Sequence, residues 1–273
     1  MDLLFLKEKA KDVRNLIVDV VKNSGGGHLG SSLSSVELLT YLYFEELNIN
    51  CDNLKSPTRD KFLLSKGHAG LALACVGVEK SFLTKEELFT FNKQNSTVSI
   101  HLDSKKHPFV DVSTGSLGHG EGVALGMALG YKKLGVNSKI YCMLGDGELN
   151  EGSVFEALSA VINFNATNLI TIVDDNGFML DGKTEDIMSV GALDKRLSAF
   201  GFEVFTCDGH DFEDIKNAFN GAKAAKKPAV IIAKTVKGKG VDFMENNPNW
   251  HYSGLTEKEY SSAKTLLAKN YGE

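Results

Sequence analysis

Apolar positions along this chain change period repeatedly, and each change marks a passage between helix and strand. Over residues 3–22, Leu6, Ala10, Val13, Ile17 and Val20 recur at helical spacing, and Asn23-Ser24-Gly25-Gly26-Gly27 ends the pattern. Ser34 and Glu37 have capping-box spacing, which predicts a helix from there through Leu47. A short strand within residues 60–68 leads to a Gly-His corner, and residues 69–76 read as a helix. Thr84 and Glu87 form a second capping box, for a short helix to Phe91; residues 92–108 are polar and irregular, and an Ala/Gly-rich helix then ends at Leu134. Two continuous apolar runs follow, one from Lys139 into Gly145 and one ending at Asp174-Asp175-Asn176, with a helix between them. Strands of that kind are buried on both faces and belong to a parallel sheet. Residues 193–200 read as a helix, 202–207 as a strand, and Asp211 caps a helix through Ala222. The last strand spans 229–234, and Thr256 with Glu259 caps a terminal helix. The pattern predicts one α/β domain over residues 1–273, with a mostly parallel central sheet, helices on both faces and an irregular N-terminal third.

Parallel strands place their carboxyl ends on one edge of the sheet, where such folds take ligands. Asp146 and Asn176 end the two apolar runs and should therefore meet there, although 30 positions separate them. A carboxylate and an amide oxygen are hard ligands suited to Mg2+ or Ca2+. Gly145 and Gly147 let the backbone turn sharply and approach a ligand, and a following helix turns free N–H groups toward an anion. These residues fit a metal-bridged phosphate or diphosphate site; they also fit a tight turn capped by Asp146 with Asn176 in a loop. GDG alone is weak, whereas GDG, 27 intervening residues and then Asp-Asn is far more specific.

Histidines supply the other candidate chemistry. His28 follows three glycines that would be costly to order in a mere linker. His68 ends a second Gly-His corner, and a glycine before it opens the approach to an anion. In the irregular stretch the two candidates are His101 and His107, and either also fits an ordinary loop residue. Ser113–Gly120 is rich in small residues, and its His119 either senses a ligand or caps the next helix. Lys234 and Lys237 lie in a loop that adds positive field but lacks nucleotide-loop spacing. Trp250-His251 closes that loop, with Trp250 a natural anchor.

Composition narrows the setting. The chain has 273 residues, enough for one large domain with a full core, and 42% are hydrophobic. Thirty basic and 35 acidic side chains are well mixed, so no basic stripe marks a nucleic-acid footprint. The four cysteines, Cys51, Cys75, Cys142 and Cys207, are widely spaced, form no metal pair and fit a reducing cytoplasm. No apolar run has the length of a membrane span, and the N-terminus lacks the apolar core of a signal peptide.

Lys139 to Gly182, with RDKFLLSKGH, STGSLGHG and the late Trp250-His251 pair, resembles the N-terminal half of transketolase, especially the separate N-terminal subunit of split transketolases. That resemblance implies the thiamine-diphosphate-binding fold, with thiamine diphosphate and Mg2+ as cofactors (Ca2+ or Mn2+ as stand-ins). It assigns Asp146, the Asn176 side chain and the Phe178 main-chain carbonyl to the metal. It gives Gly145, Gly147, His68 and His251 to the diphosphate, and Gly115 and Leu117 to the aminopyrimidine ring. His28 and His101 would face the sugar, with His107 the reserve, and His251 would also help move protons. Glu151 would sit at the subunit contact beside the partner's catalytic glutamate. This chain departs from the family text at Leu29, Ile100, Leu102, His119 and after His251, where HYSG stands in place of HG.

The resemblance covers nearly the whole chain but only the first half of a full transketolase, without its pyrimidine-binding and C-terminal domains. It therefore implies ketol transfer between a ketose phosphate and an aldose in an α2β2 assembly. A second chain of about 300 residues would supply the glutamate and most sugar-phosphate anchors. A truncated longer chain would look the same. The alternatives are a chain like deoxyxylulose-phosphate synthase or 2-oxoacid dehydrogenase E1 α, and a cofactor-binding regulatory protein without catalysis.

Overall fold

The computed structural model describes residues 2–272. Five parallel strands form its centre: β1 (Lys61–Leu64), β2 (Ile140–Gly145), β3 (Leu169–Asp175), β4 (Glu203–Asp208) and β5 (Ala229–Lys234), in the order β1-β2-β3-β5-β4. In register, Leu64 pairs with Met143, Gly145 with Asp174, and Lys234 with both Asp175 and Asp208. All five strands therefore end along one edge, which brings together loops that are remote in sequence.

The helices are α1 (Leu3–Ser24), α2 (Leu29–Ser34), α3 (Val36–Tyr41), α4 (Gly70–Glu79), α5 (Lys85–Leu88), α6 (Gly120–Leu134), α7 (Gly152–Asn163), α8 (Thr184–Met188), α9 (Leu193–Phe200), α10 (Phe212–Ala224) and α11 (Glu257–Tyr271). They cover both faces of the sheet. Side chains alternate along a strand, so Tyr141, Met143, Ile170 and Ile172 join the core built with α1, α3, α4, α10 and α11. Ile140, Cys142, Leu144 and Val173 join the opposite core, under α6, α7 and α9. Cys75, Cys142 and Cys207 are buried free thiols, and Cys51 is exposed.

The Thr84/Glu87 and Thr256/Glu259 capping boxes form as the sequence predicts, and Asp211 accepts from the N–H groups of Glu213 and Asp214. The Ser34/Glu37 box does not form. Ser34 is the last residue of α2, and its hydroxyl donates to Asp174 at 2.7 Å. Glu37 instead takes both Nη2 contacts of the fully buried Arg14, at 2.5 and 2.6 Å. Tertiary partners outcompete the local cap, and the expected helix becomes α2, α3 and a π turn over Leu42–Glu46. The helix expected directly after GDG also differs. A 3-10 turn occupies Gly147–Asn150, and α7 starts at Gly152, so Glu151 is its exposed N-cap rather than a residue one turn in.

Candidate active site at the carboxyl edge of the sheet

The ends of β2 and β3 bring Asp146 and Asn176 to one place. Asp146 N–H donates to the Asp174 carbonyl at 3.2 Å, continuing the parallel ladder beyond Gly145. The Asp146 carboxylate is 2% exposed and accepts from Thr184 Oγ1 at 2.5 Å. Among the described residues no basic side chain forms an ion pair with it, and burial, with Asp174 and Asp175 nearby, pushes its pKa up to about 6. A buried carboxyl held short of full ionisation is suited to a cation supplied from outside. The Asn176 amide donates to Asp174 at 3.3 Å, while its Oδ1 accepts the Phe178 N–H at 3.1 Å. Asp146, Asn176, Gly177 and Phe178 border a cleft of about 840 Å³.

Beneath this pair lies a network that sequence patterns did not single out. Asp174 is fully buried; it pairs with Lys66 and accepts from Ser34, Thr235 and the Asn176 amide. Burial opposes its charge, but the Lys66 ammonium and these hydrogen bonds hold its pKa below the usual carboxylate range. Lys66 also donates to Ser35 Oγ at 3.0 Å. One polar residue closing an apolar strand and one lysine beside a Gly-His corner were the only signals in the sequence.

Glu148, which no motif marks, ties the loops of the site together. Its Oε1 accepts from Ser65 Oγ at 2.5 Å and Gly118 N–H at 2.9 Å, and its Oε2 from Gly145 N–H at 3.2 Å. One carboxylate thus takes backbone N–H groups that the glycine-rich sequence leaves open to an anion. Gly67 packs against the same junction: a Cβ there would lie 2.8 Å from Gly115 N.

Four histidines from four separate stretches converge nearby. The His28 ring centroid lies 5.3 Å from that of His68, 6.4 Å from His101 and 5.2 Å from His251, and His68 stacks on His251 at 5.4 Å. Burial lowers the pKa of all four. His28 falls to about 4, helped by His101 and Lys237, and His251 also falls to about 4, with Lys237 and His28 adding to burial. The cluster is therefore neutral at neutral pH, able both to accept and to donate a hydrogen bond. His68 Nε2 lies 3.0 Å from Ser31 Oγ, while His28 Nδ1 is buried with no partner among the described residues.

His101 rather than His107 joins the cluster. The His101 ring covers Gly115, where a Cβ would come within 2.9 Å of it. His107 is buried apart, with Nε2 on the Thr97 carbonyl at 2.9 Å and its ring beside Phe109. His119 is exposed and makes no side-chain cap. Leu117 is half-buried in the same loop as Gly115. Trp250 packs edge-on to Phe243, as a loop anchor would.

Lys237 joins the two halves of the site. Its buried Nζ donates to the Met179 carbonyl at 2.7 Å, lies 3.2 Å from His251 Nδ1 and stands 5.9 Å over the Phe178 ring. Burial, aided by Lys66, lowers its pKa to about 8. Lys234, by contrast, is exposed and pairs with Asp175. The apolar trio after Asn176 divides: Met179 packs over Gly147, whereas Leu180 is 60% exposed. Among the described residues no three His, Cys, Asp or Glu side chains gather to hold a metal. The expected set would need only one, beside an amide and a main-chain carbonyl. No helix among them is long and apolar enough to cross a membrane.

Known proteins are similar to this chain in sequence and in fold. The family described as "Transketolase, thiamine diphosphate binding domain" matches residues 6–272. An apulose-4-phosphate transketolase subunit of Actinobacillus succinogenes is 42% identical over 248 residues, 90% of each chain. A 6-deoxy-6-sulfo-D-fructose transketolase subunit of Clostridium sp. is 36% identical over 97% of this chain and 96% of its own. The transketolase crystal structure from Campylobacter jejuni superposes with a TM-score of 0.92 at 32% identity, covering 98% of this chain but 43% of that one. Full-length transketolases are thus matched over less than half their length, and the separate transketolase subunits over nearly all of theirs. The chain belongs to the thiamine diphosphate binding domain family of transketolase.

Proposed function

We propose that this chain is the diphosphate-binding subunit of a split transketolase, which moves a two-carbon ketol unit from a ketose phosphate to an aldose. The convergence of four imidazoles, joined through Lys237 to the loop that follows Asn176, carries this reading. The Asp146 carboxylate, Asn176 Oδ1 and the Phe178 carbonyl would hold Mg2+, since the Asp146 carboxyl is buried without a cation of its own. His68, His251 and Lys237 would hold the diphosphate, and Gly115 and Leu117 would border the aminopyrimidine.

Thiamine diphosphate supplies the carbon nucleophile that carries the two-carbon unit. This chain's residues orient and shuttle protons around it. His28 and His101 offer ring nitrogens to sugar hydroxyls, and His251 exchanges a proton at Nε2 while Lys237 fixes Nδ1. Burial keeps these rings neutral, so each can take a proton and return it. The glutamate that would face the aminopyrimidine comes from a second chain, with two copies of each in the assembly. Near-complete matches to proteins named as transketolase subunits support that arrangement. The exposed Glu151 would lie at that contact.

The test is reconstitution. The chain is assayed by itself and with its partner chain, with thiamine diphosphate, Mg2+ and a panel of sugars. The panel includes apulose-4-phosphate and 6-deoxy-6-sulfo-D-fructose, which the names of relatives point to. Transfer only in the mixture, abolished by Asp146→Ala, is expected. Full activity of the isolated chain would overturn the two-chain reading.

A further inference from the structure

The triple glycine before His28 and the departure after His251 meet in space. Gly27 and Ser253 exchange both backbone hydrogen bonds, each at 3.1 Å, as an isolated antiparallel bridge. Gly254 lies against Gly25, whose carbonyl would be 2.5 Å from a Cβ at position 254. The strap of residues 252–254 is therefore zipped across the glycine corner. It lays Tyr252 over that corner: a Cβ at Gly26 would lie 3.1 Å from the phenol oxygen and 3.2 Å from Cε1. The ring stands edge-on to His28, with centroids 4.9 Å apart.

His28 thus has His68, His251 and Tyr252 as ring neighbours within 5.3 Å. Tyr252 nevertheless remains 46% exposed, and its hydroxyl has no hydrogen-bond partner among the described residues. A large ring set beside a half-buried cluster by the neighbouring backbone bridge, and itself left half open, is placed to meet whatever the cluster binds. An aromatic face suits the C–H surface of a polyhydroxylated chain, while a phenol edge tolerates its hydroxyls.

We propose that Tyr252 is a specificity-determining wall of the sugar site, which limits how the substrate's carbon chain extends past His28. This rests on the transketolase reading above. Gly26 belongs to the same device, because a Cβ there would press on the ring at 3.1–3.3 Å and make it shift by a few tenths of an ångström. Gly26 has no positive φ, so alanine there acts by pushing the flexible ring rather than by straining the backbone.

The experiment uses the reconstituted two-chain enzyme and steady-state kinetics over the sugar panel, with thiamine diphosphate binding measured in parallel. Tyr252→Gly should raise KM for the preferred ketose phosphate about fivefold and relax the discrimination among sugars, with the cofactor Kd unchanged. Tyr252→Phe, which keeps the ring, should recover most of that loss. Gly26→Ala should move KM in the same direction as Tyr252→Gly, and should add nothing in the Tyr252→Gly background. Unchanged KM values for all sugars in both single variants would overturn the proposal, as would a fall in kcat alone. Additive effects of the two substitutions would overturn it too. An inactive wild-type complex would instead overturn the transketolase reading on which it rests.

Discussion

Lys66 and Asp174 form a fully buried ion pair directly beneath Asn176, joining the end of β1 to the end of β3. Both charges are out of water, so removing one partner strands the other. Lys66→Met should destabilise the fold by about 3–5 kcal/mol, and Lys66→Met with Asp174→Asn should recover much of that loss. Chemical denaturation of the three proteins checks this. Equal stability of the single and double variants would show that the pair is not what sets the cost.

Gly67 sits at the crossing of the β1 corner and the loop after Ser113. A Cβ there would meet Thr114 Oγ1 at 2.7 Å and Gly115 N at 2.8 Å. Two of its near neighbours are backbone atoms, which yield less than a side chain. Gly67→Ala should cost about 1–3 kcal/mol by overpacking, with a matching drop in denaturation midpoint. Gly122→Ala, in α6 with nothing within 4 Å of its Cβ, is the control and should stabilise by up to about 1 kcal/mol through helix propensity.

Lys237 and His251 share a short contact, and the lysine's charge helps hold the imidazole pKa at about 4. Lys237→Met should therefore raise the His251 pKa toward, but not to, its ordinary 6.5, because burial is the larger cause. Imidazole proton shifts followed by NMR across pH 3–8 give the answer; an unmoved His251 titration would mean that burial alone sets it.

His28 and His251 resist protonation when folded, with pKa values near 4 against 6.5 when free. Between those values the unfolded chain takes up protons that the folded chain refuses. Their contribution to stability is complete above about pH 6.5 and is lost as pH falls toward 4. Denaturation midpoints measured from pH 7 to pH 4 should fall, and His28→Asn with His251→Asn should flatten that slope.

The parallel sheet, most helix positions and two capping boxes were legible in the sequence, because continuous apolar runs and terminal caps are local signals. The convergence of Asp146 with Asn176 followed from strand direction alone. The four-histidine cluster was assembled through family resemblance, and it is His101 rather than His107 that stands beside His28. Other features were not legible, since they depend on pairings across the fold. Ser34 and Glu37 fit a cap by spacing, but Asp174, Arg14 and His210 claim their side chains. Glu148 carries no local signal, yet it bridges three loops. Lys237 stood out only as part of a loop that adds positive field, whereas β5 delivers it into the buried edge.

In the proposed function, the edge formed by Asp146 and Asn176 holds the cofactor through a divalent ion. Thiamine diphosphate binding to the two-chain complex, titrated with and without Mg2+, tests it most directly when Asp146→Asn is run beside the wild type. Mg2+-dependent binding that Asp146→Asn abolishes is expected, with no loss of stability, because burial already disfavours the charged form of the carboxyl. Binding of equal strength in the variant would contradict it.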